Sequence, residues 1–305
     1  MAEFTPHSLQ LIPYDGGLPG CVYSHWPASG RAMSPETLRS ALDFFERVGA
    51  ESPVRITFTG EEPMLAGTAW FAEALPLLRA RFGSLAQMVI SSGLQALDED
   101  MLALLAAHDV HVEVRLDAFP AMHDAQNGAY AFEKTFAAVC RLREKDLPFH
   151  CTCTVTADFW KNAKGIALFF AEQNLPFTIW PAVPQMNAAA NCRGRVLCPS
   201  RAGVFFRELL MVYRHGLEAC DNETLNAMAS ACQQGRNSRK PFHGCFGTVA
   251  AIGPDGLVYP CWRFYHHMAL MFNMEPLEEE AEDVLVQCGY VYLIRSQNAY
   301  DDERL

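Results

Sequence analysis

The sequence lacks three features that would assign it at once to a class of protein. No apolar run approaches the roughly 20 residues that a membrane-spanning helix needs. The first residues carry neither the basic flank nor the long apolar stretch of a secretory signal peptide, so we expect a cytoplasmic protein. Basic residues are in the minority, with 24 lysines and arginines against 35 aspartates and glutamates and a formal net charge of −11. Because an acidic chain repels phosphate backbones, a nucleic acid is not expected as a partner. A membrane is not expected either, since no apolar run is long enough to span one.

Several common catalytic motifs are also missing. The chain contains no phosphate-binding P-loop, no glycine fingerprint for a dinucleotide and no GxSxG nucleophile elbow. A hydrophobic fraction of 50% and a charged fraction of 19% are ordinary for a globular protein and exclude extensive disorder. The length of 305 residues allows one large domain or two.

Cysteine is abundant, with 11 residues, an odd number that cannot pair completely within one chain. In a reducing compartment the remaining roles are buried small hydrophobes, metal or cluster ligands, and reactive thiols. Cys151 and Cys153 lie two residues apart on a predicted strand, so their side chains point to the same face, which we expect to be the core. Cys192 and Cys198 lie in a predicted loop and form a conceivable ligand pair.

Strand-like and helix-like segments alternate through the first two thirds of the chain. The predicted strands are Leu9–Ile12, Val54–Thr59, Gln87–Ser92, His111–Leu116, His150–Val155 and Phe177–Ala182. The predicted helices follow the cap residues Ser34 and Asp98 and cover Thr68–Arg81, Tyr130–Lys145, Phe159–Asn174 and Arg201–Tyr213. Six such units imply a parallel sheet, either a doubly wound open sheet or a full or partial (β/α) barrel. In each of these folds the chemistry lies at the carboxyl ends of the strands.

The composition changes after the last of these units. We expect a first domain over residues 1–218, a polar linker over residues 219–240 and a small unit over residues 241–305. Within the small unit, the Pro-Asp-Gly turn between Ile252 and Leu257 predicts a β-hairpin.

Four segments occur in a fixed order on these predicted elements. They are Ile56–Leu65 (ITFTGEEPML), Val89–Leu102, Val114–Gln126 and Gly244–Phe264. Together they resemble the radical SAM superfamily, specifically the peptide-modifying and sulfatase-maturase branch with a C-terminal SPASM domain. The resemblance implies an α/β fold, namely a partial (β/α)6 TIM-like barrel with a small C-terminal SPASM/twitch-like α+β unit.

The resemblance also implies an iron–sulfur cluster, which this chain is poorly equipped to hold. In the family, a C-x3-C-x2-C loop binds a 4Fe–4S cluster whose remaining iron chelates S-adenosylmethionine. The matching positions here are Gly17, Cys21 and Ser24. Glycine offers no ligand, serine is a poor replacement for a thiolate, and the adjacent His25 would still leave the set incomplete. We therefore expect that the standard cluster is lost and that S-adenosylmethionine is not bound in the usual way.

The other cofactor-binding positions implied by the resemblance have changed in parallel. With Cys21 they are Gly60, Glu61, Glu62, Pro63, Ser91, Gly93 and Asp117. Glu61 places bulk and negative charge where a glycine allows close approach to the cofactor. Two interpretations remain open: these residues only shape turns, or they line a polar pocket that binds a different small ligand.

The C-terminal segment resembles the opening of a SPASM or twitch domain. Cys245 and Cys261 frame a C-x10-G-x4-C pattern, and Cys288 is the next cysteine along the chain. These three are the candidate metal ligands, for an auxiliary iron–sulfur cluster or for zinc. The alternative is a hairpin that keeps its cysteines for packing.

The resemblance and the departures from it predict a degenerate radical SAM-like protein. We expect a non-catalytic partner or scaffold in peptide or protein maturation, with a peptide or a protein as its partner and no assigned catalytic residue. One alternative is an active peptide-modifying enzyme with an unusual ligand set around Cys21, or with acid–base chemistry by Glu61, Glu62, Asp117 and His123. A second alternative is an electron-transfer partner with one C-terminal iron–sulfur cluster.

Overall fold

The structure, a computed structural model, describes residues 6–17, 30–48, 54–182, 195–214, 248–259, 261–262 and 265. Within these residues the chain has a mixed α/β fold with eight strands in a mostly parallel sheet and seven α-helices. None of the described helices combines the length and the apolar character that crossing a membrane requires.

The strands and helices alternate as predicted. The strands are β1 (Ser8–Leu11), β2 (Arg55–Phe58), β3 (Gln87–Ser92), β4 (His111–Arg115), β5 (Phe149–Val155), β6 (Phe177–Pro181), β7 (Val249–Ile252) and β8 (Val258–Tyr259). The α-helices are α1 (Pro35–Arg47), α2 (Thr68–Phe82), α3 (Glu99–Ala107), α4 (Pro120–Asn127), α5 (Ala131–Glu144), α6 (Ala163–Glu172) and α7 (Pro199–Arg214). A short 3₁₀ helix, Pro63–Ala66, follows β2.

The chain divides into two compact units, and the first combines residues 1–15, 30–88 and 241–305. Its strands lie in the order β2-β1-β7-β8, and β1 is parallel to both of its neighbours. Leu9 of β1 lies opposite Ile56 of β2 and Ala250 of β7, and all three side chains are fully buried. Burial of both faces is typical of parallel strands, which therefore read as nearly continuous apolar runs.

The second unit combines residues 16–29 and 89–240 and contains the parallel strands β4, β5 and β6 with most of β3. Val112 of β4 lies between Ile90 of β3 and Phe149 of β5. Cys151 and Cys153 are buried on β5 opposite β6 residues, so the prediction that both are core residues is confirmed. Register fixes which residue ends each strand, and it thereby fixes where the polar residues that follow the strands are placed.

Helix α1 shows how local chemistry sets an element boundary. Ser34 has an extended backbone and its Oγ accepts a hydrogen bond from the Thr37 N–H at 3.0 Å. Pro35 fills the first helical position, where its missing N–H costs nothing. Leu38 and Leu42 recur at helical spacing and are buried. The predicted cap is confirmed, and the helix buries an apolar face.

The largest differences from the sequence prediction are at α4, at α6 and at the 3₁₀ helix Pro63–Ala66, which was not predicted. Helix α4 was not predicted, because it has only eight residues and no side chain caps the Phe119 position at its start. Helix α6 begins at Ala163, four residues later than predicted. Before it, hydrogen-bonded turns join the Phe159 N–H to Thr156 O and the Asn162 N–H to Phe159 O, and these turns replace the expected first helical turn.

The predicted C-terminal hairpin is confirmed. Strands β7 and β8 pair antiparallel, with Ile252 opposite Val258. Gly256 has a φ of 75°, which glycine adopts without strain. Asp255 accepts the Leu257 N–H at 3.1 Å and the Tyr259 hydroxyl at 2.6 Å, so its carboxylate closes the turn. The predicted linker over residues 219–240 lies outside the described residues, and the domain boundaries remain a prediction.

We expect Ser34→Ala to lower the free energy of unfolding by about 1 kcal/mol, because the Thr37 N–H loses its side-chain acceptor. Urea denaturation followed by circular dichroism measures the change. Ser40→Ala is the matched control, since Ser40 is an exposed residue inside the same helix and its substitution should not destabilise the protein. Equal destabilisation by the two substitutions would contradict a capping role for Ser34.

Candidate functional site

The turn after β2 contains four of the predicted cofactor-binding residues and belongs to the first unit. Gly60 has a φ of 123°, a backbone conformation that suits glycine. Glu62 is 1% exposed and its Oε1 accepts the Met64 N–H at 3.4 Å at the start of the 3₁₀ helix. Pro63 occupies the first position of that helix, and Glu61 is partly exposed. The Glu62 carboxylate is therefore turned back onto the chain that follows it.

The segment after β3 belongs to the second unit and its polar atoms are used internally. The Ser92 hydroxyl accepts the Leu94 N–H at 2.8 Å. The Thr135 hydroxyl of α5 donates to the Gly93 carbonyl at 2.7 Å, so this hydrogen bond ties the segment to a helix. Ser91 is half-buried, whereas Ser92 and Gly93 are buried.

Asp117, which follows β4, is the centre of a buried polar network in the second unit. Its Oδ1 accepts the Thr154 N–H of β5 at 2.9 Å. Its Oδ2 accepts a hydrogen bond from Gln126 Nε2 and lies next to His123 Nδ1, each at 3.1 Å. Asp117 is 5% exposed, Gln126 4% and His123 1%. The carboxylate thus joins β4, β5 and α4, and its negative charge is compensated by donors from the protein itself.

The second nitrogen of His123 has a different environment. Among the described residues, no hydrogen-bond partner lies near the buried Nε2 atom. The imidazole ring lies edge-on to Phe132, with 6.2 Å between ring centroids. Nδ1, by contrast, has three polar neighbours: Asp117 Oδ2 at 3.1 Å, and the Asp117 N–H and Asn127 Nδ2, each at 3.3 Å. The arrangement is that of an imidazole oriented by a carboxylate, the element from which acid–base sites are built, but with its second nitrogen enclosed.

Two buried thiols adjoin this network. Burial raises the pKa of Cys153 well above its ordinary value, and the nearby negative charge of Asp117 adds to the effect. Burial also raises the pKa of Cys151 to about 12. Because the thiolate is the nucleophile and the metal ligand, burial disfavours both of these roles for Cys151 and Cys153.

The predicted metal ligands are only partly described. Cys261 is half-buried, whereas Cys21, Cys245 and Cys288 lie outside the described residues. In the described part of the chain, no three His, Cys, Asp or Glu side chains converge as a metal site requires. The backbone N–H of Trp262, next to Cys261, donates to Gln10 Oε1 at 3.0 Å and so anchors this turn to β1.

The structure shows a fold that solved structures of S-adenosylmethionine-binding proteins share. A structure of anSMEcpe with bound AdoMet and Cp18Cys peptide covers 93% of this chain and 83% of its own, with a TM-score of 0.74 and 17% identity. Streptococcus suis SuiB bound to precursor peptide SuiA covers 94% of this chain and 70% of its own, with a TM-score of 0.67 and 14% identity. These likenesses confirm the predicted α/β fold class.

Comparison at the level of sequence finds less. No family model matches the chain. An uncharacterised protein of Methanothermobacter thermautotrophicus is 26% identical over 160 residues, which are 52% of this chain and 61% of that protein. The chain therefore matches less than two thirds of the length of this curated relative.

The donor set does not fit the cluster that the resemblance implies. Three thiolates are needed, and the position matched by Gly17 has no side chain at all. Ser24 would contribute a hydroxyl, so Cys21 is the single thiol of the motif.

The sequence pointed to Asp117 and His123 as candidate site residues, but it did not reveal two of their hydrogen-bonding partners. Gln126 lies three residues after His123 on α4, a spacing that places both on one helix face, but α4 itself was not predicted. The Thr154 contribution is a backbone N–H, which leaves no signal in a residue pattern. Both partners depend on how β4, β5 and α4 are brought together.

We expect Asp117→Asn to lower the free energy of unfolding by about 3 kcal/mol, because the new amide N–H₂ must face either the Thr154 N–H or the Gln126 amide, and that donor then loses its acceptor. Chemical denaturation measures the effect. Asp109→Asn is the matched control: Asp109 is exposed and has a φ of 51°, which asparagine tolerates, so the change should be close to zero. A tolerated Asp117→Asn substitution would show that the carboxylate charge is dispensable for folding.

We also expect Cys198, at the start of α7, to react faster with iodoacetamide than Cys140, although both are exposed. The Ser200 hydroxyl 3.3 Å from Sγ, followed by the Arg201 N–H, lowers the pKa of Cys198. A lowered pKa leaves more thiolate at neutral pH, so the advantage should shrink as the pH rises through the ordinary thiol range. Peptide mass spectrometry of timed samples measures the rates. Ser200→Ala should slow only Cys198; equal rates for both cysteines at neutral pH would contradict the prediction.

Proposed function

We propose that this chain is a degenerate radical SAM-like protein that binds a peptide or protein partner during maturation without standard radical chemistry. The observation that carries the proposal is a contrast within one chain. The fold is shared, over more than nine tenths of the chain, with solved proteins that hold AdoMet or a peptide. The loop that would hold a cluster has one thiol, at Cys21, where the motif needs three.

The described polar residues support this interpretation. Asp117 is committed to internal donors from β5 and α4, and Glu62 caps the chain that follows it. Both carboxylates are almost fully buried. Carboxylates that accept hydrogen bonds from the protein itself stabilise turns and strand ends. Their structural use is consistent with a fold that is kept while its original cofactor chemistry is lost.

A peptide as the partner is supported by the fold and by charge. Two of the similar structures contain a bound peptide: Cp18Cys with anSMEcpe and SuiA with SuiB. The formal net charge of −11 favours a basic partner over an acidic one, since long-range attraction raises the association rate.

Iron content after anaerobic reconstitution with iron and sulfide tests the loss of the cluster. In a Cys261→Ala background, which removes a candidate ligand of the C-terminal unit, we expect little bound iron and no consumption of S-adenosylmethionine under reducing conditions. A variant that adds Gly17→Cys and Ser24→Cys restores three thiols to the loop. That variant should gain up to about four iron atoms per chain if the fold is retained.

The outcome that overturns the proposal is specific. About four iron atoms in the Cys261→Ala background, lost on further Cys21→Ala substitution, would place a cluster at the loop. Consumption of S-adenosylmethionine by that preparation would favour an active enzyme with an unusual ligand set. Iron that persists without Cys21 but disappears with Cys261→Ala would favour the electron-transfer alternative.

Binding of synthetic peptides tests the partner. Fluorescence anisotropy with matched basic and acidic peptides, each with and without a central cysteine, should show tighter binding of the basic peptides. Their affinity should fall as salt is added, because screening weakens the attraction. Equal binding of basic and acidic peptides, or binding by neither, would contradict the proposed basic peptide partner.

A further inference from the structure

The first unit contains a buried polar connection that the proposed function does not use. Residues on either side of segment 16–29 pair with each other, and we call these residues, Tyr14, Asp15, Arg31 and Ala32, the neck. Tyr14 and Ala32 form an antiparallel bridge. The Asp15 N–H donates to Arg31 O at 3.0 Å, and the Arg31 N–H donates to Asp15 Oδ1 at 2.6 Å.

Tyr265 of the C-terminal segment completes the neck. Its hydroxyl donates to Asp15 Oδ2 at 3.1 Å, so the two oxygens of that carboxylate are held from two distant parts of the chain. The Tyr265 ring lies against Gly253: a Cβ added there would come within 2.0 Å of ring atom Cε2. On another side the ring meets Tyr259 edge-on, with 5.4 Å between centroids. Tyr265 is 2% exposed, and its place depends on the absence of a side chain at Gly253.

The Tyr265 hydroxyl is a hydrogen-bond donor at this site. Burial raises the pKa of Tyr265, and the negative charge of Asp255 adds to this effect, so the hydroxyl keeps its proton. A hydrogen bond with Tyr265 raises the pKa of Arg31, whose side chain lies 3.5 Å from Asp15 Oδ2 and is half exposed. Asp15 itself is fully buried. We call the turn closed by the Tyr265 N–H and the Trp262 carbonyl, at 3.1 Å, the C-terminal turn. Removing one donor from a buried carboxylate costs folding free energy, so the neck and the C-terminal turn stabilise each other.

We propose that Tyr265 is a strap: it couples the C-terminal turn to the neck, so that the two open together and displacement of Tyr265 releases the neck. Tyr265 is then a positioning residue that acts through Asp15. Asp15 and Tyr265 are 250 residues apart in the chain, so a displacement of the C-terminal turn would be transmitted to residues near the start of the chain. This inference goes beyond the proposed function and does not rest on it.

Amide hydrogen exchange on the full chain tests the strap, because local opening is read residue by residue. Tyr265→Phe keeps the ring and removes the hydroxyl. We expect the Asp15 and Arg31 amides to exchange about tenfold faster, as loss of a hydrogen bond to a charged group predicts. The amides of β4 and β5 in the second unit should be unaffected. A merely structural loss would accelerate all of them.

Two further variants separate the strap from a general effect of substitution. Gly253→Ala keeps the Tyr265 hydroxyl but displaces the ring, and it should accelerate exchange at the same neck amides. Tyr259→Phe is the matched control, because it removes a tyrosine hydroxyl that bonds to Asp255 within the hairpin. It should leave exchange at the neck unchanged.

Two results would overturn the proposal. In the first, Tyr265→Phe leaves exchange at Asp15 and Arg31 as in the wild type, which would show that the neck holds without the hydroxyl. In the second, exchange accelerates equally at the neck and in β4 and β5, which would show general destabilisation in place of local coupling.

Discussion

The buried charge of Asp117 constrains how the second unit can fold. A carboxylate that is 5% exposed must find donors within the protein, or folding would bear its full desolvation cost. The donors come from the Thr154 backbone on β5 and from Gln126 on α4, and His123 of α4 lies beside them. The hydrogen-bonding groups belong to β5, to α4 and to the end of β4. All of them are paired only when the register of the strands and the position of α4 are both correct. The network therefore helps to specify the fold as well as to stabilise it.

The first unit also contains a buried carboxylate, and its hydrogen-bond donors come from residues much further apart in the chain. Asp15 is fully buried and takes its donors from the Arg31 backbone and from the Tyr265 hydroxyl. The glycine at position 253 matters here because its missing side chain leaves room for the tyrosine ring. Asp15, Gly253 and Tyr265 thus depend on one another for their positions.

The cysteines show how position decides chemistry. Cys151 and Cys153 are buried on a strand, where desolvation keeps them as thiols and they serve as small hydrophobes. Cys198 is exposed at a helix start, where local donors favour its thiolate. Cys21 stands without the two neighbouring thiols that a cluster would need. The abundance of cysteine alone points to metal chemistry, whereas burial disfavours such a role for Cys151 and Cys153.

Sequence alone determined the order and type of most elements, because apolar periodicity, the Ser34 cap and the Gly-Pro-Asp-Gly turn are local signals. It also gave Asp117 and His123 as candidate site residues, which remain a prediction, and showed that Gly17 and Ser24 stand where the family motif has thiols. Helix α4 was missed because eight residues without a side-chain cap carry too weak a pattern. Only the tertiary structure decided what the buried acids do. Their partners are a backbone N–H and side chains up to 250 residues away, and no residue pattern encodes such distances.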